Sequence, residues 1–325
     1  MDRYIREFPQ QLSDALKIGE EFRYTADSKN IHKIIISGMG GSGIAGNFVQ
    51  EYVYSSLNIP VFVNKSYHLP EWVDENTLVI LSSYSGNTEE TLSCLQDAVR
   101  KNAVMVGITS GGKLEEWCQS KVVSYMALPK NYPPRTCLGY SFVGILSILT
   151  KAEIISDTWK NEIREAIELL NEHQSGIITE AKEIAQKIHH TFPIIYTLHS
   201  ESLAVRLRQQ LNENSKVLCS HHIIPEMNHN EIVGWRNLTA QHSVIAIHTN
   251  FDLNQNRKRY AFCKKVFEHY QVPVIEMKAK GNTLLSQWMY IVHLSDWISY
   301  ELALLNHSDP VEVKVIDQLK SELSK

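Results

Sequence analysis

Short β-branched and aliphatic runs alternate with longer amphipathic stretches along most of this chain. In the first half the runs are 31–37 (IHKIIIS), 60–64 (PVFVN), 77–82 (TLVILS), 103–109 (AVMVGIT) and 122–128, each short enough for a strand. Helix-spaced segments stand between them, at 43–56 after a glycine cluster and at 88–102 (TEETLSCLQDAVRKN). Continuous apolar strands alternating with helices predict a parallel sheet covered on both faces. A long polar-amphipathic stretch, about 157–190, is followed by a second such series: FPIIYTLH, ESLAVRLRQQLNEN, VLCSHHI, SVIAIHT, NQNRKRYAFCKKVFEHY and VPVIEM. The halves repeat in pattern and not in sequence. The expectation is an α/β chain of two doubly wound domains, 1–153 and 154–325, with the boundary near 150–158. The last helices, 284–307 and 311–325, are expected to pack on both domains.

Bulk numbers agree with two domains, because single cores stop growing beyond about 250–300 residues and the chain has 325. A net charge of −4, from 32 basic and 36 acidic residues, argues against nucleic acid as a partner. No stretch reaches the roughly 18 apolar residues of a membrane span, and the amino terminus lacks the apolar segment of a signal peptide. Five cysteines with no CxxC pair read as reduced thiols. A cytoplasmic protein is expected.

Candidate chemistry begins at Gly38-Met39-Gly40-Gly41-Ser42-Gly43, between a strand and a helix. This fits a dinucleotide fingerprint or a plainer phosphate loop. The fingerprint also needs an acidic residue about 20 positions on, at the end of the second strand, and Asn64 stands there. The next loop, Ser82 to Thr91 (SSYSGNTEET), sets several hydroxyls and backbone N–H groups at a helix amino terminus, which suits a phosphate monoester. Asn87 and Glu90 have capping-box spacing, so part of this loop is expected to cap its own helix.

Five segments in order, GMGGSGIAG, SYSGNTEET, YPPRTCLGYS, QQLNENSK followed by PEMNHNEIVGW, and DPxxVxxIxxLK, carry a further resemblance. From Gly38 to Lys320 the chain resembles the bifunctional phosphoglucose/phosphomannose isomerase family, built from two sugar isomerase (SIS) domains. The resemblance implies two SIS-type sheets flanked by helices, aldose–ketose isomerisation of glucose 6-phosphate and mannose 6-phosphate, and no cofactor or metal. It implies phosphate binding by Gly41, Ser42, Ser83, Ser85 and Thr88, and an enediolate-stabilising Arg135. Glu213 would be the base that shuttles a proton between C1 and C2. His229 would open the sugar ring from the neighbouring subunit of a homodimer, with help from Lys320. Val313, seven residues before Lys320, stands where the family tends to carry a threonine associated with the mannose epimer.

The reaction asks for these residue types independently: a carboxylate to move the proton, a cation at the oxyanion, an imidazole for ring opening. Spacing alone does not separate Glu213 from Glu226 and Glu231, and taken alone Glu213 and Lys320 are ordinary solvated helix residues. His221, His222 and His229 with Glu226 and Glu231 are ligand types for zinc, but their spacing matches no HExxH-like pair. A non-catalytic phosphosugar-binding SIS protein remains the alternative; it would account for the loops but not for Arg135, Glu213 and His229 together.

Overall fold

The apolar runs form parallel strands in a computed structural model that describes residues 1–238 and 240–323. Elements of the first half, in chain order, are α1 (Asp2–Arg6), α2 (Phe8–Glu21), β1 (Lys33–Ser37), α3 (Gly40–Val53), β2 (Val61–Asn64), β3 (Thr77–Ser82), α4 (Glu89–Arg100), β4 (Val104–Thr109), α5 (Gly112–Lys121), β5 (Tyr125–Ala127) and α6 (Leu138–Lys151). The rest follow as α7 (Trp159–Ile188), β6 (Phe192–Thr197), α8 (Glu201–Asn214), β7 (Ser220–Ile223), β8 (His242–His248), α9 (Asn254–His269), β9 (Val274–Lys278), α10 (Leu284–Leu305) and α11 (Lys314–Leu323). The chain divides into two compact units, Glu7–Ile167 and Met1–Arg6 with Glu168–Lys325, the division falling inside α7. No helix among the described residues is long and apolar enough to cross a membrane.

In the unit Glu7–Ile167 the sheet order is β2-β1-β3-β4-β5. Ile34, Ile35, Ile36 and the whole of β3 are buried, as a sheet covered on both faces requires. Because β1 is flanked by β2 and β3, the chain leaves β1 and β3 in opposite directions, and the crevice between them is the switch point where such sheets bind ligands. The other unit repeats this order as β7-β6-β8-β9. The 122–128 run forms a strand only at Tyr125–Ala127. Helix α5 occupies the residues before it and ends on Val122, which is left-handed (φ 56°) and 89% exposed.

Helix α10 is buried along most of its length and turns polar groups inward. His293 is fully buried, and its Nε2 accepts a hydrogen bond from Trp297 Nε1 at 3.2 Å, which requires a neutral ring. Burial, with the charge of Arg6 nearby, pushes its pKa from 6.5 down to about 3. The unfolded chain therefore binds one proton more than the folded chain between those pH values. This part of the stability is complete above about pH 6.5 and declines as the pH falls toward 3. Urea unfolding at pH 7 and pH 5 should show wild type losing more stability than His293→Gln over that interval; equal losses would contradict the assignment.

Candidate active site

The two loops of the switch point touch. Gly38 follows β1, and a Cβ there would lie 2.7 Å from the Ser82 carbonyl oxygen and 3.1 Å from Ser42 Cβ, so only glycine lets the strand ends approach this closely. Ser42 is buried in the first turn of α3, whose N-cap, Met39, supplies no side-chain bond. In the second loop the Ser83 and Thr88 hydroxyls are 2.8 Å apart, Gly86 N–H donates to Ser83 Oγ (3.1 Å), and Asn87 N–H donates to Ser85 Oγ (3.2 Å). Gly86 is left-handed (φ 67°), and a Cβ there would fall 1.8 Å from the Gly111 carbonyl oxygen. Ser83 is buried beneath the turn, and Ser85 is exposed on it.

The capping box expected within this loop does not form. The N-cap of α4 is Thr88, without a side-chain cap, and Asn87 Oδ1 instead accepts from Lys113 N–H (3.1 Å) in the first turn of α5. Asn87 thus ties the loop to its neighbour. Glu89 and Glu90 already occupy the first turn of α4, so hydroxyls and turn N–H groups must supply much of the attraction for an anion. Asn64 is buried, and its amide donates to the Ser66 carbonyl (3.2 Å) and Cys94 Sγ (3.1 Å). It is turned inward where a dinucleotide site needs a carboxylate facing a ribose, which disfavours that reading.

Arg135 lies in a 3₁₀ turn, Pro134–Thr136, and is only 6% exposed. Gln11 of α2 clamps this turn: its amide donates to the Thr136 carbonyl (2.8 Å) and its oxygen accepts from Gly139 N–H (2.8 Å). The turn presses on α3, where a Cβ at Gly41 would lie 3.0 Å from the Pro134 oxygen and 3.7 Å from Arg135 Cα. Tyr84, which sequence reasoning missed, links loop and turn. Its hydroxyl donates to the Pro129 carbonyl (2.7 Å) and accepts from Tyr132 N–H (3.0 Å), and burial pushes its pKa up to about 12. Its signal was an aromatic residue between two serines of a loop otherwise built from small polar groups. The structure thereby gathers Gly41, Ser42, Ser83, Ser85, Thr88 and Arg135 at the carboxyl end of one sheet.

Glu213, His229 and Lys320 belong to the other unit, on three elements. Glu213 is half-buried at the end of α8, next to two anchors. Asn214 Nδ2 donates to Ser299 Oγ (2.9 Å), and Ser215 Oγ donates to the Ser299 carbonyl (2.6 Å). Further along the same helix pair, Arg206 meets Asp296 through two bonds (3.0 and 2.7 Å), and Gln210 adds a third at 2.9 Å. Burial raises the Asp296 pKa, and Arg206 and Gln210 oppose that shift by favouring the carboxylate.

Glu226 and Glu231 both carry hydrogen bonds. Both Glu231 oxygens are used, one by the Tyr196 hydroxyl and the other by His222 Nδ1 at 2.9 Å. Burial and this carboxylate together push the Tyr196 pKa upward. Glu226 accepts from Asn230 Nδ2 (2.9 Å) on the exposed 3₁₀ turn Glu226–His229 that also carries His229. His221 and His222 are successive in β7 and diverge, His221 pairing with Glu201 (3.5 Å) and His222 with Glu231. Burial, with Arg208 nearby, lowers the His221 pKa. Among the described residues no His/Cys/Asp/Glu group is arranged to hold a metal. Lys320 is exposed on α11, a helix with no buried residue.

Two parallel switch-point sheets, one with a hydroxyl-lined loop at its carboxyl end, define a double SIS protein. The SIS domain family profile matches residues 29–131, and that described as "Bacterial phospho-glucose isomerase C-terminal SIS domain" matches 177–323. The fold is similar to the C-terminal domain of glucosamine-fructose-6-phosphate aminotransferase from Francisella tularensis, with a TM-score of 0.76, 16% identity, and coverage of 95% of this chain and 97% of that one. Two curated proteins named bifunctional phosphoglucose/phosphomannose isomerase align almost end to end. The one from Caldicellulosiruptor bescii is 35% identical over 98% of both chains, and the one from Aquifex aeolicus is 38% identical over 90% of both. The chain belongs to the bifunctional phosphoglucose/phosphomannose isomerase family.

Gly41→Ala should push the Arg135 turn off α3, since overpacking of this kind costs about 1–3 kcal/mol. Calorimetric titration with fructose 6-phosphate should then show roughly tenfold or more weaker binding, with an unchanged circular dichroism spectrum. Unaltered affinity would remove this turn from the site.

Proposed function

We propose that this chain is an aldose–ketose isomerase acting on the glucose 6-phosphate/fructose 6-phosphate pair and on the mannose 6-phosphate/fructose 6-phosphate pair, by proton transfer through a cis-enediol and without a metal. The observation that carries this reading is the hydroxyl turn at 83–88 beside an Arg135 turn closed onto Gly41. Membership of a family whose curated relatives bear both activities in their names supports it.

In this reading the first turn of α3, at Gly41 and Ser42, and the hydroxyls of Ser83, Ser85 and Thr88 hold the phosphate. The Glu213 carboxylate takes the proton from C2 of the open aldose. The C–H electrons form the C1–C2 double bond as the C1 carbonyl becomes an oxyanion, opposed by the Arg135 guanidinium. Glu213 returns the proton to C1, the carbonyl re-forms at C2, and the hydroxyl proton passes from O2 to O1. Return of a proton to either face of C2 serves both epimers. Glu213 is preferred over Glu226 and Glu231 because it stands in the NENSK segment that carries the family resemblance.

Ring opening falls to the partner subunit's His229 and to Lys320. A homodimer is favoured by the exposure of His229 beside Val233, which is 78% exposed. No disulfide joins the five cysteines, which fits a reducing cytoplasm. Val313 keeps nearly the shape of threonine without its hydroxyl, leaving room for the mannose epimer.

A coupled assay of EDTA-treated protein should show isomerisation of both substrate pairs. Silence on both would leave the phosphosugar-binding alternative. Glu213→Gln should lower kcat about 10²–10⁴-fold or more while substrate still binds. Near-normal turnover would reassign the base. Ser85→Ala should act chiefly on KM through lost phosphate contacts, and a loss confined to kcat would contradict its role.

A further inference from the structure

The segment after Glu213 is a clasp. Lys216 adopts a left-handed conformation (φ 59°) just past the end of α8, a position where glycine or asparagine carries less strain. Its side chain gives a reason for a lysine. Nζ donates to three carbonyl oxygens: Glu213 at 2.7 Å, Asp309 at 3.0 Å and Glu312 at 2.8 Å. The first lies at the carboxyl end of α8, where a cation also meets the negative end of the helix dipole. The other two belong to the connector between α10 and α11.

That connector is held together by its own carboxylates. Asp309 Oδ1 accepts from Val311 N–H (2.8 Å), and Glu312 Oε1 accepts from Lys314 N–H. Asn306 Nδ2 donates to the Ser215 carbonyl (3.0 Å), tying the end of α10 to the same corner. Val313 follows directly, its carbonyl accepting the N–H groups of Ile316 (2.8 Å) and Asp317 (3.1 Å) that open α11. Helix α11 buries no residue, and Val315 and Leu319 on it are 78% and 58% exposed. The polar bonds of the connector tie its start to the end of α8.

We propose that Lys216 is a positioning residue, locking the base-bearing end of α8 to the arm that presents Val313 and Lys320. This rests on the roles given to Glu213 and Lys320 above. Removing the ammonium frees the arm without touching substrate, so it moves two groups relative to one another. A displacement of the order of 1 Å at a reacting group costs about 100-fold in rate, and partial loosening costs less.

The test compares Lys216→Met and Lys216→Arg with wild type by backbone hydrogen exchange and steady-state kinetics on fructose 6-phosphate. Lys216→Met should speed exchange roughly tenfold or more across 309–323, with β6, β8 and α10 unchanged, because local opening is read segment by segment. Its kcat should fall about 10- to 100-fold with KM nearly constant. Lys216→Arg, which keeps a cationic donor, should restore most of both. Should the methionine variant not fold, Lys216→Gln makes the same comparison. Unchanged exchange in 309–323, or a loosened arm with full kcat, overturns the proposal. Normal turnover in Glu213→Gln would instead remove the base assignment, and the exchange data would still report whether the clasp exists.

Discussion

Close approach of two strand ends is the constraint on which the first unit's loops depend. Strands β1 and β3 are neighbours whose connections depart in opposite directions, so a switch point lies at their carboxyl ends. The absence of a Cβ at Gly38 and Gly86 lets one loop rest on the other and lets the second meet the loop after β4. The Arg135 turn then reaches α3 because Gly41 leaves room for it and Gln11 holds it there. An anion site made this way would use backbone geometry and hydroxyls and would need no cluster of cations. That agrees with a chain of net charge −4.

The other unit solves a different problem: fixing the helix end that carries Glu213. Helices α8 and α10 meet through a buried arginine–aspartate pair, an asparagine–serine bond and a serine–carbonyl bond. A buried ion pair adds little net stability once desolvation is counted, but bidentate geometry accepts few relative settings of the two helices. The same bonds that fix the helix pair fix the direction from which Glu213 emerges. Glu231 is bonded to Tyr196 and His222, an arrangement that ties its loop to β6 and β7.

The fold was legible because its strands are buried on both faces and read as uninterrupted apolar runs; Ile34 to Ile36 and the whole of β3 are such runs. Legibility failed where contacts are distant in sequence. Val122 is apolar and β-branched, yet it ends α5 in a left-handed conformation because the chain must turn there. Asn87 has the spacing of a cap for its own helix, but its partner is Lys113, one loop away. The two glycine- and hydroxyl-rich loops were readable in a short window. The partners of Glu226 and Glu231 were not, since Tyr196, His222 and Asn230 are brought to them by the fold. Nothing in NENSK alone shows that Lys216 reaches residues 309 and 312.

Proton transfer through an enediolate is the central claim, and isotope exchange addresses it most directly. Fructose 6-phosphate would be isomerised in D₂O by the purified protein, and the hydrogen at C2 of the glucose 6-phosphate formed would be read by proton NMR. A carboxylate that carries the proton and exchanges with solvent predicts deuterium at C2 in a measurable share of the product. Product in which every C2 hydrogen is protium carried over from C1 would contradict a base that exchanges with solvent, and is the result a hydride shift would give.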